Sequence, residues 1–242
     1  MKTSKSGRNV SYTTRLKPLT NQRKGKTMKV KEIERRIGTL SKPSKMPGYG
    51  WSTPAKDCKV GSKLAKLKGT ICSICYARKG RYVFPNVQKA LRKRKSVIYK
   101  AEWVPMMTEL IRIKERKGFF RWHDSGDIQS LTHLKKIAQI ARNLPDIVFW
   151  LPTREYAFVR QYMEQYGAFP DNLTVRLSAY MIDGPPPYSL AVKLGLPTSG
   201  VCHPLLGEED DINCPASKQG HKCLDCRACW DKKVSNINYK KQ

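Results

Sequence analysis

The chain lacks any apolar run of membrane-spanning length. Its strongest, Ile147-Val148-Phe149-Trp150-Leu151, falls far short of the roughly 20 residues a spanning helix needs. It also lacks an apolar stretch behind its basic N-terminus, so no signal peptide is expected and the expected location is cytoplasmic. In that reducing compartment clustered cysteines bind metal or do redox chemistry rather than form structural disulfides. No internal repeat is present, which argues against a solenoid. Acid is scarce in one half only. Residues 1–118 hold 32 Lys and Arg against 6 Asp and Glu, a balance of +26; residues 119–242 hold 15 against 13, a balance of +2, and together they give the chain's +28.

A fold needs no such asymmetry. It sets a positive field on one part of the molecule, which suits a polyanion: DNA, RNA or an acidic protein. The run Arg92-Lys93-Arg94-Lys95 is the candidate phosphate-tracking patch. Its plain reading is a solvated helix face.

Residues 1–46 are rich in Lys, Arg, Ser and Thr and read as a basic, disordered arm, with a short helix at Met28–Ile37. Residues 47–200 read as an α/β core. Strands are expected at Phe119–His123, Ile147–Leu151 and Leu173–Leu177. Helices are expected over 86–117 in two pieces broken near Pro105, over Leu131–Leu144 with Ser130 as N-cap, over Glu155–Tyr166, and over Leu190–Leu194. Strand–helix alternation, with Ile147–Leu151 apolar throughout, argues for a parallel sheet, a partial or distorted (β/α) barrel. Residues 201–242 read as a Cys-rich tail with an acidic run, Glu208-Glu209-Asp210-Asp211, and almost no core unless metal-bound.

Seven of the eight cysteines fall into two groups, Cys58-x13-Cys72-x2-Cys75 and Cys214-x8-Cys223-x2-Cys226-x2-Cys229. Cysteines at i, i+3 and i+6 can wrap a compact centre, as three ligands of an iron–sulfur cubane do, with a fourth from elsewhere, here Cys214. Zinc is the rival, since paired Cys-x2-Cys knuckles make tetrahedral sites. Iron–sulfur, one or two [4Fe-4S] clusters, is the favoured reading. The first group has three cysteines. Either Cys202 completes it, or one iron is left for a non-protein ligand; Cys202 as a buried thiol and Cys58 as a bystander are the plainer alternatives.

In parallel α/β folds ligands bind beyond the carboxyl ends of the strands. Three such ends are polar here: His123-Asp124-Ser125-Gly126-Asp127, Thr153-Arg154-Glu155, and Arg176 with Ser178. His123 suits a proton donor or metal ligand. Asp124 and Asp127 suit a cation or a sugar hydroxyl. Arg154 and Arg176 suit phosphate or carboxylate. Ser125, Gly126 and Ser178 complete the set as cofactor contacts, and Trp122, Trp150 and Tyr156 are candidate lining. A capping Ser-Gly-Asp turn and a core histidine are the plain alternatives.

Three motifs, Cys72-Ser-Ile-Cys75-Tyr-Ala-Arg-Lys-Gly80, Arg121-Trp-His-Asp-Ser-Gly-Asp127 and Cys223-x2-Cys226-x2-Cys229-Trp230, together resemble the phage and prophage gene product eighty-eight family over roughly residues 48–232. The resemblance implies an iron–sulfur protein with a barrel-like core. More loosely, it is similar to radical S-adenosylmethionine enzymes, which hold a four-iron cluster by three cysteines near the start of a barrel. The chain departs from their Cys-x3-Cys-x2-Cys, and no glycine-rich cofactor strand follows. Two functions are therefore expected. One is an iron–sulfur enzyme acting on or beside nucleic acid. The other is a nucleic-acid-binding or host-regulatory protein, with a host protein as partner, whose centres are structural.

Overall fold

The structure, a computed structural model, describes residues 29–202 and 211–241. The first 28 residues of the basic arm and the acidic run Glu208-Glu209-Asp210 lie outside the described residues. The order is α1 (Val30–Ile37), β1 (Gly50–Trp51), α2 (Lys59–Leu64), α3 (Pro85–Val97), α4 (Trp103–Lys114), β2 (Phe119–Trp122), α5 (Leu131–Asn143), β3 (Val148–Thr153), α6 (Tyr156–Tyr166), β4 (Leu173–Ile182), α7 (Tyr188–Leu194), β5 (Thr198–Cys202), β6 (Asp211–Asn213) and β7 (Asn236–Lys240).

All seven strands join one open sheet in the order β1-β2-β3-β4-β5-β7-β6, and every strand pairing is parallel. The period of two along each strand divides its side chains between two faces. Phe120, Trp122, Phe149, Leu151, Leu173, Val175 and Leu177 face the helices and build the main core with residues of α1, α4, α5 and α6. Phe119, Val148 and Trp150 face the other way and pack with Cys229, Trp230 and Ile237.

Helix boundaries follow local chemistry. Ser130 caps α5, its Oγ accepting the His133 N–H at 3.1 Å. Pro85 opens α3 at a position that needs no N–H. The break between α3 and α4 falls at 98–102, not at Pro105. Pro105 sits in the first turn of α4, where the missing N–H costs no intrahelical bond. The arm is not loose throughout: Ile33 and Ile37 of α1 are buried in the main core.

The Cys-rich segment also has a core of its own. Residues 214–235 form the crossover from β6 to β7 and lie on the sheet face opposite the helices. Trp230 donates from Nε1 to the Phe120 carbonyl at 2.9 Å and meets Trp150 with ring centroids 5.2 Å apart. The sequence understated this because its few apolar residues are scattered rather than periodic.

Candidate thiol centres and the carboxyl rim

The loop after β2 locks onto the end of β1. Ser125 donates from Oγ to the Thr53 carbonyl at 3.0 Å. Gly126 has φ +80°, and a Cβ there would lie 2.0 Å from Thr53 Oγ1, so no side chain fits. Ser125 and Gly126 are thus seam residues between two strands. Asp127, beyond them, is buried. Its Oδ1 accepts from Thr153 Oγ1 at 2.6 Å and from the Ile128 N–H at 2.8 Å, and its Oδ2 accepts from the Arg154 N–H at 2.9 Å. Burial raises its pKa, against these three bonds. Asp127 therefore fixes the direction of Arg154. That guanidinium donates from Nε to the Ala179 carbonyl at 2.8 Å. Glu155 is buried too, with Oε1 accepting the Val60 N–H at 2.8 Å, and burial raises its pKa. Tyr156 stacks on Tyr180 at 4.7 Å and 5°. Asp127, Arg154, Glu155 and this aromatic pair make up the rim.

The first thiol group lies against that rim. Cys58 and Cys72 flank Gly61: a Cβ there would sit 3.4 Å from Cys72 Sγ and 3.6 Å from Cys58 Sγ, in a cradle that glycine leaves open. Burial raises the Cys58 pKa, and the like charges of Asp127, Cys72, Cys75 and Glu155 add to it. Burial raises that of Cys72, and Arg154 opposes the shift. The three thiols, both rim carboxyls and Arg154 are therefore one electrostatic unit.

The second group lies on the face opposite the helices. Burial pushes the Cys229 thiol up to about 12; its Sγ is 3.1 Å from Tyr239 Oη. Cys223 is raised by burial and then by Cys214, with Cys226 adding to it, and its Sγ lies 3.9 Å from Met46 Sδ. Among the described residues no set of three or more His, Cys, Asp or Glu side chains has converged on metal-ligand geometry. Both groups are gathered as neighbours; neither is drawn in around a point. The donors are all-thiol, a ligand chemistry that fits a thiophilic metal, and Gly61 lets the backbone pack closely against Cys58 and Cys72.

Several expected rim residues stand elsewhere. Arg176 is fully buried under the Cys-rich crossover. Its Nη1 donates to the Thr198 and Val234 carbonyls at 2.9 and 3.0 Å, and its Nη2 to those of Asp231 and Ala228 at 3.0 and 3.3 Å. It is a clamp on backbone carbonyls, not a phosphate fork. Ser178 shares a 3.1 Å hydrogen bond with Ser199, Oγ to Oγ, between β4 and β5. His123 is buried beside Trp122 and His133, and burial holds its pKa down to about 3, so it is neutral and off the rim. Asp124 turns toward α3, its Oδ2 accepting from Tyr82 Oη at 2.8 Å. Cys202 ends β5, 3.7 Å from Asn238 Oδ1, and packs against β7.

The basic run divides by helical periodicity. Arg92 and Lys93 are exposed. Arg94 is buried, with Nε on the Thr39 carbonyl at 2.8 Å, so it is no phosphate contact. Lys95 pairs with Asp57 at 2.8 Å. A larger feature surrounds them: no Asp or Glu occurs between Asp57 and Glu102, the stretch that carries the whole first thiol group. Within it Tyr76 is 52% and Phe84 53% exposed, interleaved with exposed Lys79, Arg81 and Lys89. Sequence reasoning missed Tyr76, Phe84 and Arg121. Arg121 was findable, because it alternates with Phe120 and Trp122 and so had to face the other side of the sheet; its guanidinium lies 4.3 Å from the Trp150 ring centroid.

A family model described as Gene product 88 matches residues 12–232. The chain belongs to that family. The match supports a phage-type protein, and it reaches well into the basic arm rather than beginning near residue 48. No curated protein and no solved structure matches this Gene product 88 chain. No described helix is long and apolar enough to cross a membrane.

Proposed function

We propose that this Gene product 88 protein is an iron–sulfur protein that engages nucleic acid across the carboxyl rim of a partial (β/α) barrel. One observation carries the reading. The three-thiol group lies at the rim, inside a stretch free of acid that exposes Tyr76 and Phe84 between cations. Exposed rings offer bases a stacking surface, and the lysines and arginines track phosphates. The sequential order of β1 to β5 supports the barrel reading.

Cys58, Cys72 and Cys75 hold one centre; Cys214, Cys223, Cys226 and Cys229 hold the other. A bound [4Fe-4S] cluster supplies one-electron chemistry, and three cysteine ligands leave one iron for an outside ligand, S-adenosylmethionine being the candidate. The chain's own residues do the rest. Asp127 fixes Arg154, whose guanidinium offers an anionic group a partner beside the thiols. The stacked Tyr156 and Tyr180 form an aromatic wall on that side. Arg92, Lys93, Lys79 and Arg81 hold the polyanion.

The second reading keeps nucleic-acid or host-protein binding and makes both centres structural, with zinc in place of iron. The clamp of Arg176 on the second group favours it for that centre. The two separate on one preparation. The enzyme reading expects the cluster-loaded protein to bind S-adenosylmethionine or to turn over with a reductant; no response to either leaves the structural reading. Both expect fluorescence anisotropy with a labelled oligonucleotide to show affinity falling steeply with salt. No binding at low salt sinks the nucleic-acid part of both.

A further inference from the structure

A cavity of about 310 Å³ lies between α3 and the ends of β1 and β2, apart from both thiol groups. That volume is at the lower end of the range for small-molecule sites. One wall is apolar: Val87, Ala90 and Leu91, on one face of α3. The others carry opposite charges, Asp124 and Arg94.

Among the described residues neither group makes an ion pair. Arg94 is 7% exposed, and its described acceptors are the carbonyl and hydroxyl of Thr39, both neutral. The groups that favour its charge are Asp124 and Tyr82, yet Arg94 makes no ion pair with Asp124. Asp124 uses Oδ2 on Tyr82, while its Oδ1 is buried with no partner among the described residues. Arg121, on the other side, also feels Asp124 without pairing with it. A buried charge is ordinarily paired, and a buried acceptor ordinarily bonded. Asn86 lines the same cavity and spends its Oδ1 on the Val87 N–H, which leaves its NH2 group as a donor. The preceding residue, His123, is held at φ +58°, a strained turn that sets the direction of Asp124.

We propose that this cavity binds a small zwitterion of the α-amino acid type. The ammonium group faces the Asp124 carboxylate. The carboxylate takes the free guanidinium edge of Arg94 and the Asn86 amide. An apolar side chain lies on Val87, Ala90 and Leu91. A ligand carrying both charges offers a partner to each of these walls.

Isothermal titration calorimetry on the full-length protein tests this, with L-leucine, L-methionine and L-phenylalanine as probes. At least one is expected to bind saturably. Its N-acetyl derivative, without the ammonium, and its methyl ester, without the carboxylate, are each expected to bind at least about tenfold more weakly. Asp124→Asn is expected to weaken the parent amino acid by about tenfold or more while leaving the N-acetyl derivative unaffected. The proposal is overturned if none of the three saturates by about 10 mM, if both derivatives bind like the parent, or if D124N binds the parent unchanged. Should D124N fail to fold, the two derivatives decide the matter on the native protein.

Discussion

The two thiol groups differ in what surrounds them. Cys58, Cys72 and Cys75 sit at the carboxyl rim beside Arg154, Asp127 and Glu155, in a basic stretch with exposed rings. Around the other group Cys229 and Trp230 are buried, and four backbone carbonyls nearby are spent on Arg176. On the proposed reading the difference is a division of labour. On that reading, the three thiols beside Arg154 and the two rim carboxyls are the group that takes an outside ligand. Four thiols over a packed aromatic core suit holding β6 and β7 together.

The sharpest break is a pair of variants. Arg176→Met leaves four carbonyls without a donor, and at about 1–3 kcal/mol for each buried group left unpaired the loss is expected to exceed about 3 kcal/mol. Cys75→Ser removes a rim thiol and is expected to cost under about 1 kcal/mol while lowering metal content. Urea unfolding of both, with metal analysis, decides it; equal destabilisation contradicts the division. Next comes the rim surface. Phe84→Ala is expected to weaken single-stranded oligonucleotide binding by about 1–3 kcal/mol, the worth of one base stack, with no change in urea midpoint. Unchanged anisotropy titrations would remove Phe84 from the interface.

Gly61→Ala probes the cradle. Its new methyl would lie 3.0 Å from Cys58 Cβ and 3.4 Å from Cys72 Sγ, tight contacts rather than overlaps. The expected cost is about 1 kcal/mol, with metal lost from the first centre only. Metal content equal to wild type would show that the cradle has no such role.

The smallest effect concerns acid. Burial lowers the pKa of His133 as it does that of His123, whereas the unfolded chain protonates each near the usual 6.5. The unfolded state therefore binds more protons below that value, and stability is lost as pH falls toward the folded pKa. Buried Asp127 and Glu155, raised by burial, act in the opposite sense, so a difference between variants is the clean readout. His133→Gln is expected to remove about 0.7 kcal/mol of the loss between pH 7 and pH 6. An unchanged pH slope would mean His133 is not held neutral.

Much of this was legible in the sequence, for definite reasons. β2, β3 and β4 are rich in apolar residues because both faces are covered, and their starts fall within a residue of expectation, while β4 runs on past Leu177 to Ile182. β1 has two residues, and β5 and β7 are polar, so neither length nor hydropathy marked them. Parallel backbone pairing holds them, and between β5 and β7 Thr198 Oγ1 adds a side-chain bond to Asn236 Oδ1 at 2.9 Å. Spacing alone put the cysteines into two groups, and burial together with neighbouring thiols raises Cys58 and Cys72 in one and Cys223 in the other. Arg176 was misplaced because a charge in an apolar strand reads the same whether it meets a phosphate or a row of carbonyls. Asp124 and Asp127, three residues apart, part company at Gly126, whose positive φ turns the chain between them.

Anaerobic purification, with iron, sulfide and zinc analysis and a visible absorption spectrum, tests the central claim most directly. Brown protein carrying about four to eight irons with matching sulfide, and losing iron on Cys75→Ser, is the expected result. Colourless protein with zinc and no sulfide would contradict it and leave a basic protein with structural metal.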